Sequence, residues 1–94
     1  MEPGAFKFDW DDAKAAANLS KHGVDFDEAK TVFYDSLAGA MPDPDHSIGE
    51  ERLFTIGLSR MGRTLIVSHT ERGQFIRIIS AREATRQEKV NYER

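Results

Sequence analysis

Ninety-four residues make one domain, since independently folding units run to roughly 100–150 residues. Hydrophobic residues are 39% of the chain and cysteines are absent, which is ordinary for a globular domain and excludes both a disulfide scaffold and a thiolate metal site. The net charge of −3 divides unevenly, because residues 1–51 carry four lysines, no arginine and twelve acids (net −8), while residues 52–94 carry eight arginines, one lysine and four acids (net +5).

No stretch approaches the roughly 18 apolar residues of a membrane span, and Met1-Glu2-Pro3 lacks the basic and apolar regions of a signal peptide. The expectation is a single cytoplasmic domain over residues 1–94, without membrane contact. All the arginines follow Glu51. Arginine offers planar, bidentate donors to phosphate, so this half points to an anionic or nucleic-acid partner. Salt bridging between the two halves is the plainer alternative.

Phe6-Lys7-Phe8 alternates as a short strand does. Asp9 or Asp11 then caps a helix running to about His22, with Lys21 and His22 in the last turn and Gly23 in the left-handed position after it. Asp25 and Glu28 have the spacing of a capping box, flanked by Val24 and Ala29 as a hydrophobic staple. The second helix buries Phe26, Ala29, Val32 and Phe33. A strand is expected over 37–41, and the prolines make 42–46 a loop. Three strands follow, over 53–59, 64–71 and 74–81. Phe54, Ile56 and Leu58 share a face of the first. Arg72-Gly73 is the expected hairpin turn between the other two, which pairs Glu71 with Gln74. That register sets Leu65, Val67 and His69 with Ser80, Ile78 and Ile76 on an apolar face, and Arg77 beside Ser68 on the opposite one. Thr85 and Glu88 open a last helix to about Glu93, whose apolar face is little more than Val90 and Tyr92. The pattern is α+β with the helices on one sheet face: a short N-terminal strand, two helices packed on a mainly antiparallel sheet of about four strands, and a C-terminal helix.

Three clusters carry chemistry. Glu71, Arg72, Arg77, Ser80 and Arg82, with His69 nearby, occupy one hairpin and its exit, and combine phosphate-binding cations with proton carriers. RNA is cleaved without metal when its 2′-hydroxyl attacks the adjacent phosphate. That reaction needs charge stabilisation on the phosphoryl oxygens, in-line positioning and proton transfer. Arg77 and Arg82 suit the first role, and His69 or Glu71 the last. Lys14, Lys21 and His22 lie on or end the first helix, where they either track a phosphate backbone or form a solvated face. Asp43, Asp45, His46, Glu50 and Glu51 fit no ligand period, so a solvated acidic loop is expected and no metal or other cofactor.

With the segments placed, the chain resembles the BrnT family, toxins of bacterial type II toxin–antitoxin pairs with a RelE-like ribonuclease fold. The resemblance runs through Phe8-Asp9-Trp10-Asp11 with Lys14 and Asn18, then Lys21-His22-Gly23-Val24-Asp25-Phe26 with Glu28, Ala29 and Phe33. It continues through Asp45-His46, Gly49-Glu50-Glu51-Arg52, Ile56-Gly57 and Thr70-Glu71-Arg72. It ends with Ile76-Arg77-Ile78-Ile79-Ser80-Ala81-Arg82, Ala84-Thr85, Glu88 and Tyr92. It implies a metal-independent endoribonuclease that cuts mRNA on its sheet surface and arrests growth. It also implies neutralisation by a BrnA-like antitoxin with a ribbon-helix-helix DNA-binding domain, so that DNA is met only through the antitoxin. On that basis Arg77, Arg82, His69, Glu71 and Arg72 are the candidate catalytic residues, and Lys14, Lys21, His22 and Ser80 the candidate RNA contacts. The competing expectation is a non-catalytic module that acts by capturing a protein partner with its sheet or last helix.

Overall fold

The computed structural model describes residues 6–93; residues 1–3, considered above for signal-peptide character, lie outside it. β1 (Lys7–Asp9) leads into α1 (Asp12–His22). Asp11 rather than Asp9 caps α1, its Oδ1 accepting from the amides of Ala13 (2.8 Å) and Lys14 (3.1 Å). Gly23 ends the helix at φ +70°, its N–H donating to the Leu19 carbonyl at 2.9 Å. In α2 (Phe26–Thr31) Asp25 Oδ1 accepts the Glu28 amide at 2.7 Å. The Glu28 carboxylate does not return to close the box, because Arg63 and Ser59 hold it. A 3-10 turn (Val32–Tyr34) leads to β2 (Gly39–Pro42), and a second (Pro44–His46) precedes β3 (Arg52–Leu58). β4 (Thr64–Arg72), β5 (Phe75–Glu83) and α3 (Arg86–Glu93) complete the described chain.

The strands form one sheet in the order β1-β5-β4-β3-β2, antiparallel except for β1, which adds parallel to β5. α1 and α2 cover the first face. There Val24, Phe26, Ala29 and Val32 pack on Leu65, Val67, Ile78 and Ala81, all at most 2% exposed, with Phe8, Trp10 and Phe33 at the margin. Gly57 lies under Val32, and a Cβ there would stand 2.9 Å from Val32 Cγ1, so only glycine admits this approach. β1 covers the outer edge of β5 only at Phe75, Ile76 and Arg77. Further along, buried Asn18 takes the place of a strand: its Oδ1 accepts the Ala81 N–H (3.0 Å), and its Nδ2 donates to the carbonyls of Ala81 and Val24 (both 2.9 Å).

Three expectations change. The hairpin turn is Gly73-Gln74, with Arg72 paired to Phe75. Gly73, at φ +61°, occupies the first central position, where a primed turn puts its glycine, so Arg72 is spared a strained backbone. Next, a bulge opposite the Ser68–His69 step leaves Ile79 without a partner, so His69 pairs with Ile78 but Ser68 with Ser80. The inserted residue reverses the alternation of β5. Ser80 therefore leaves the apolar face and joins Ser68 on the other, and Arg77 stands opposite Thr70 rather than beside Ser68. Finally, the helices do not share one face. α3 crosses the second face, where Asn91 and Tyr92 join Phe54, Ile56 and Ile66 around a groove of about 480 Å³.

Candidate active site

Strand alternation and the observed pairings fix what the second face presents. One cross-strand row runs Asp9, Arg77, Thr70, Arg52; the next Ser80, Ser68, Phe54, Met41; the third Arg82, Ile66, Ile56, Gly39. A polar, arginine-rich band on β5 and β4 thus passes into the apolar groove over β3 and β2.

The arginines of this face are held differently. Arg77, with 28% of its side chain exposed, has Asp9 Oδ2 at 3.4 Å from Nη1 and no hydrogen-bonded partner among the described residues. Asp9 Oδ1 is buried and likewise unpartnered. Arg82 is clamped from α3, its Nη1 and Nη2 donating to the two carboxylate oxygens of Glu88 at 2.9 and 3.0 Å, and Nη1 also to the Glu83 carbonyl at 3.2 Å. The pairing raises the Arg82 pKa above its already high ordinary value and pulls the Glu88 carboxyl down to about 2, with the Thr85 amide helping. Arg72 Nη2 donates to Glu50 at 3.1 Å, out by the hairpin end.

Of the residues the sequence singles out, the fold brings together Arg77, Ser80 and Arg82, with Arg72 at the end of the same face. His69 lies on the other side of the sheet, 4% exposed. Its Nε2 is 2.7 Å from Thr55 Oγ1, its ring stands edge-on to Phe33, and its Nδ1 has no partner among the described residues. Burial pushes its pKa down to about 4, so the ring is neutral at physiological pH. Glu71 is exposed at the hairpin end and, two residues along the strand, shares the face of His69, away from the arginine row. Lys14, Lys21 and His22 are exposed on α1, also across the sheet from Arg77. The sequence pattern does not mark Asp9, Arg52 or Glu88 as site residues. Arg52 was legible in part, since it precedes Phe54 and Ile56 by even steps; Asp9 and Glu88 required the register and the position of α3.

The arrangement suits a phosphate: the Arg77 guanidinium beside Asp9 with donors open, the Ser80 and Ser68 hydroxyls in the next cross-strand row, and a second arginine held by a neighbouring carboxylate. No group of three or more metal-ligating side chains converges among the described residues. In the acidic loop Asp43 is buried and turns inward, its Oδ2 2.8 Å from His46 Nδ1, as part of the loop's own bonding.

The family described as "Ribonuclease toxin, BrnT, of type II toxin-antitoxin system" matches residues 10–88. Among solved structures, the Brucella abortus ribonuclease toxin BrnT is similar, with a TM-score of 0.68 and 26% identity over 87% of this chain and 100% of that one. No curated protein sequence matches the chain significantly.

Proposed function

Since the chain belongs to the BrnT family of ribonuclease toxins of type II toxin–antitoxin systems, we propose that its second sheet face cleaves mRNA endonucleolytically without a metal ion. The observation that carries this reading is Arg77, a half-buried cation fixed beside Asp9, with guanidinium donors open and Ser80 and Arg82 on the same face. In the proposed reaction the RNA 2′-oxygen attacks the adjacent phosphorus. The 2′-O–P bond forms, the P–O5′ bond breaks, and the products carry a 2′,3′-cyclic phosphate and a 5′-hydroxyl. Arg77 stabilises the charge that grows on the phosphoryl oxygens, and Arg82 adds to it when Glu88 yields its hold. Ser80 and Arg72 contact the flanking backbone. Asp9, the carboxylate beside Arg77, takes the place of His69 as acceptor of the 2′-hydroxyl proton, and water protonates the leaving oxygen. His69, Glu71, Lys14, Lys21 and His22 have no part in this mechanism, because they lie off the arginine face.

A toxin of this class has a cognate antitoxin. In this reading the antitoxin is BrnA-like, with a ribbon-helix-helix domain that supplies the DNA contact, and it neutralises by covering the arginine row. An mRNA substrate places the protein in the cytoplasm, and no described helix is long and apolar enough to cross a membrane.

The test is cleavage of RNA by the purified chain in EDTA, with end-group analysis. Arg77→Ala is expected to lower the rate about 10²–10³-fold while the circular dichroism spectrum is unchanged. Full activity in that variant removes Arg77 from the mechanism. A wild-type chain that cleaves no RNA, and is harmless when expressed, leaves partner capture as the function.

A further inference from the structure

Arg52 belongs to the same cross-strand row as Arg77, with Thr70 between them, so the two arginine Cα atoms are two strand spacings apart, about 10 Å. Arg52 is half-buried, yet its guanidinium has no hydrogen bond or ion pair among the described residues. Two neighbouring carboxylates are already engaged: Glu50 accepts from Arg72 (3.1 Å), and Asp43 lies against His46 (2.8 Å). Thr70 is 1% exposed and turns its hydroxyl to the Glu51 carbonyl at 2.7 Å, so it offers neither arginine an acceptor. The backbone of Arg52 is pinned on both sides, its N–H donating to Ser47 Oγ (2.9 Å) and its carbonyl accepting the Asp43 amide (2.8 Å). Two cations with a fixed separation and no acceptor between them are matched by two anionic groups on one ligand. Phe54, two residues along the same face and lining the groove, adds an aromatic surface beside them.

We infer that Arg52 binds the phosphate next to the one on Arg77, so that a single RNA strand crosses the sheet from β5 to β3 with an intervening base against Phe54. The inference rests on the ribonuclease reading and gives it a substrate path: single-stranded RNA, read through two successive phosphates and a base face, alternating cation and aromatic as single-strand binders do.

The experiment measures fluorescence anisotropy of a labelled single-stranded oligoribonucleotide, 2′-O-methylated to block cleavage, across a series of salt concentrations with the full chain. Arg52→Ala is expected to weaken binding several-fold and to reduce the slope of log K against log salt by about 0.7, the share of one phosphate contact on a single strand. Arg52→Lys restores the slope. Phe54→Leu lowers affinity about fivefold or more with the slope unchanged. Lys30→Gln, which removes a charge on the helix side, changes neither. If the wild-type chain binds and cleaves RNA while Arg52→Ala keeps both affinity and slope, this inference is overturned and the ribonuclease reading stands. If Phe54→Leu alone is silent, the base does not lie there and the stated path is wrong. Failure of the wild-type chain to bind or cleave overturns both.

Discussion

At the scale of single residues, similar side chains take different roles according to the face they occupy. Arg77 and Arg82 share a strand and a face, yet the first keeps open donors while the second is clamped by Glu88. His69 is one residue removed from the row that holds Arg77, and that one step buries it against Phe33. Its burial makes stability depend on pH with a definite sign. The folded ring resists protonation until about pH 4, whereas the unfolded one accepts a proton near 6.5. The contribution is therefore complete above pH 6.5 and is lost as pH falls toward 4, by about 3 kcal/mol at the lower end. NMR titration of the imidazole protons is the direct check. Titration near 6.5 in the folded protein would contradict the buried, neutral assignment.

At the scale of elements, α3 is held by polar contacts rather than by a core. It buries no residue fully, and Val90 is 46% exposed. The reciprocal bonds of Thr85 and Glu88 (2.8 and 3.2 Å) start it, Glu88 ties it to Arg82, and the Tyr92 hydroxyl donates to Asp35. Such an element opens at low free-energy cost. Glu88→Gln is expected to speed amide exchange over residues 89–93 while leaving the protection of β4 and β5 intact. Protonation does the same in the wild-type protein. The folded carboxyl is lowered, so its stabilising effect is whole above its ordinary value of 4.5 and is lost as pH falls toward about 2. Unchanged exchange in Glu88→Gln would show that Tyr92 and Asp35 alone hold the helix. The thin apolar face of α3 was readable from Val90 and Tyr92. Its position on the second face was not, since a helix with so little apolar surface carries no signal of what it covers.

For the whole molecule, the uneven charge acquires a spatial meaning. Arg52, Arg72, Arg77 and Arg82 gather on the second face, whereas Arg63 joins the layers. Arg63 donates from Nε (3.0 Å) and Nη2 to the Glu28 carboxylate, which is 3% exposed, and from Nη1 to Glu83 (3.2 Å). Ser59 Oγ adds a bond of 2.7 Å, and Arg63 above all keeps the Glu28 carboxyl below its usual range despite burial. Arg63→Met would strand that carboxylate, and removing one partner of a buried pair costs about 3–5 kcal/mol. In a domain of this size the expected fall in Tm is at least about 12 °C, measured by thermal circular dichroism. A shift of only a degree or two would mean that water replaces the guanidinium without loss.

Local chemistry was legible from the chain alone. Asp11, Gly23, Asp25 and Thr85 mark helix ends through hydrogen bonds that span only a few residues, so their spacing in sequence is their geometry in space. The shared face of Phe54 and Ile56, the α+β class and the concentration of arginines in the second half were legible because they rest on spacing and composition along the chain. The composition of the site depended on contacts across the sheet. Side chains alternate with a period of two, so the Gly73-Gln74 turn and the unpaired Ile79 together decide that Ser80 faces the same way as Arg77 and Arg82. They also set Thr70 between Arg77 and Arg52, residues 25 positions apart in the chain. A bulge leaves no mark in β5 itself, because it is a mismatch between two strands, and only their pairing in the folded sheet resolves it.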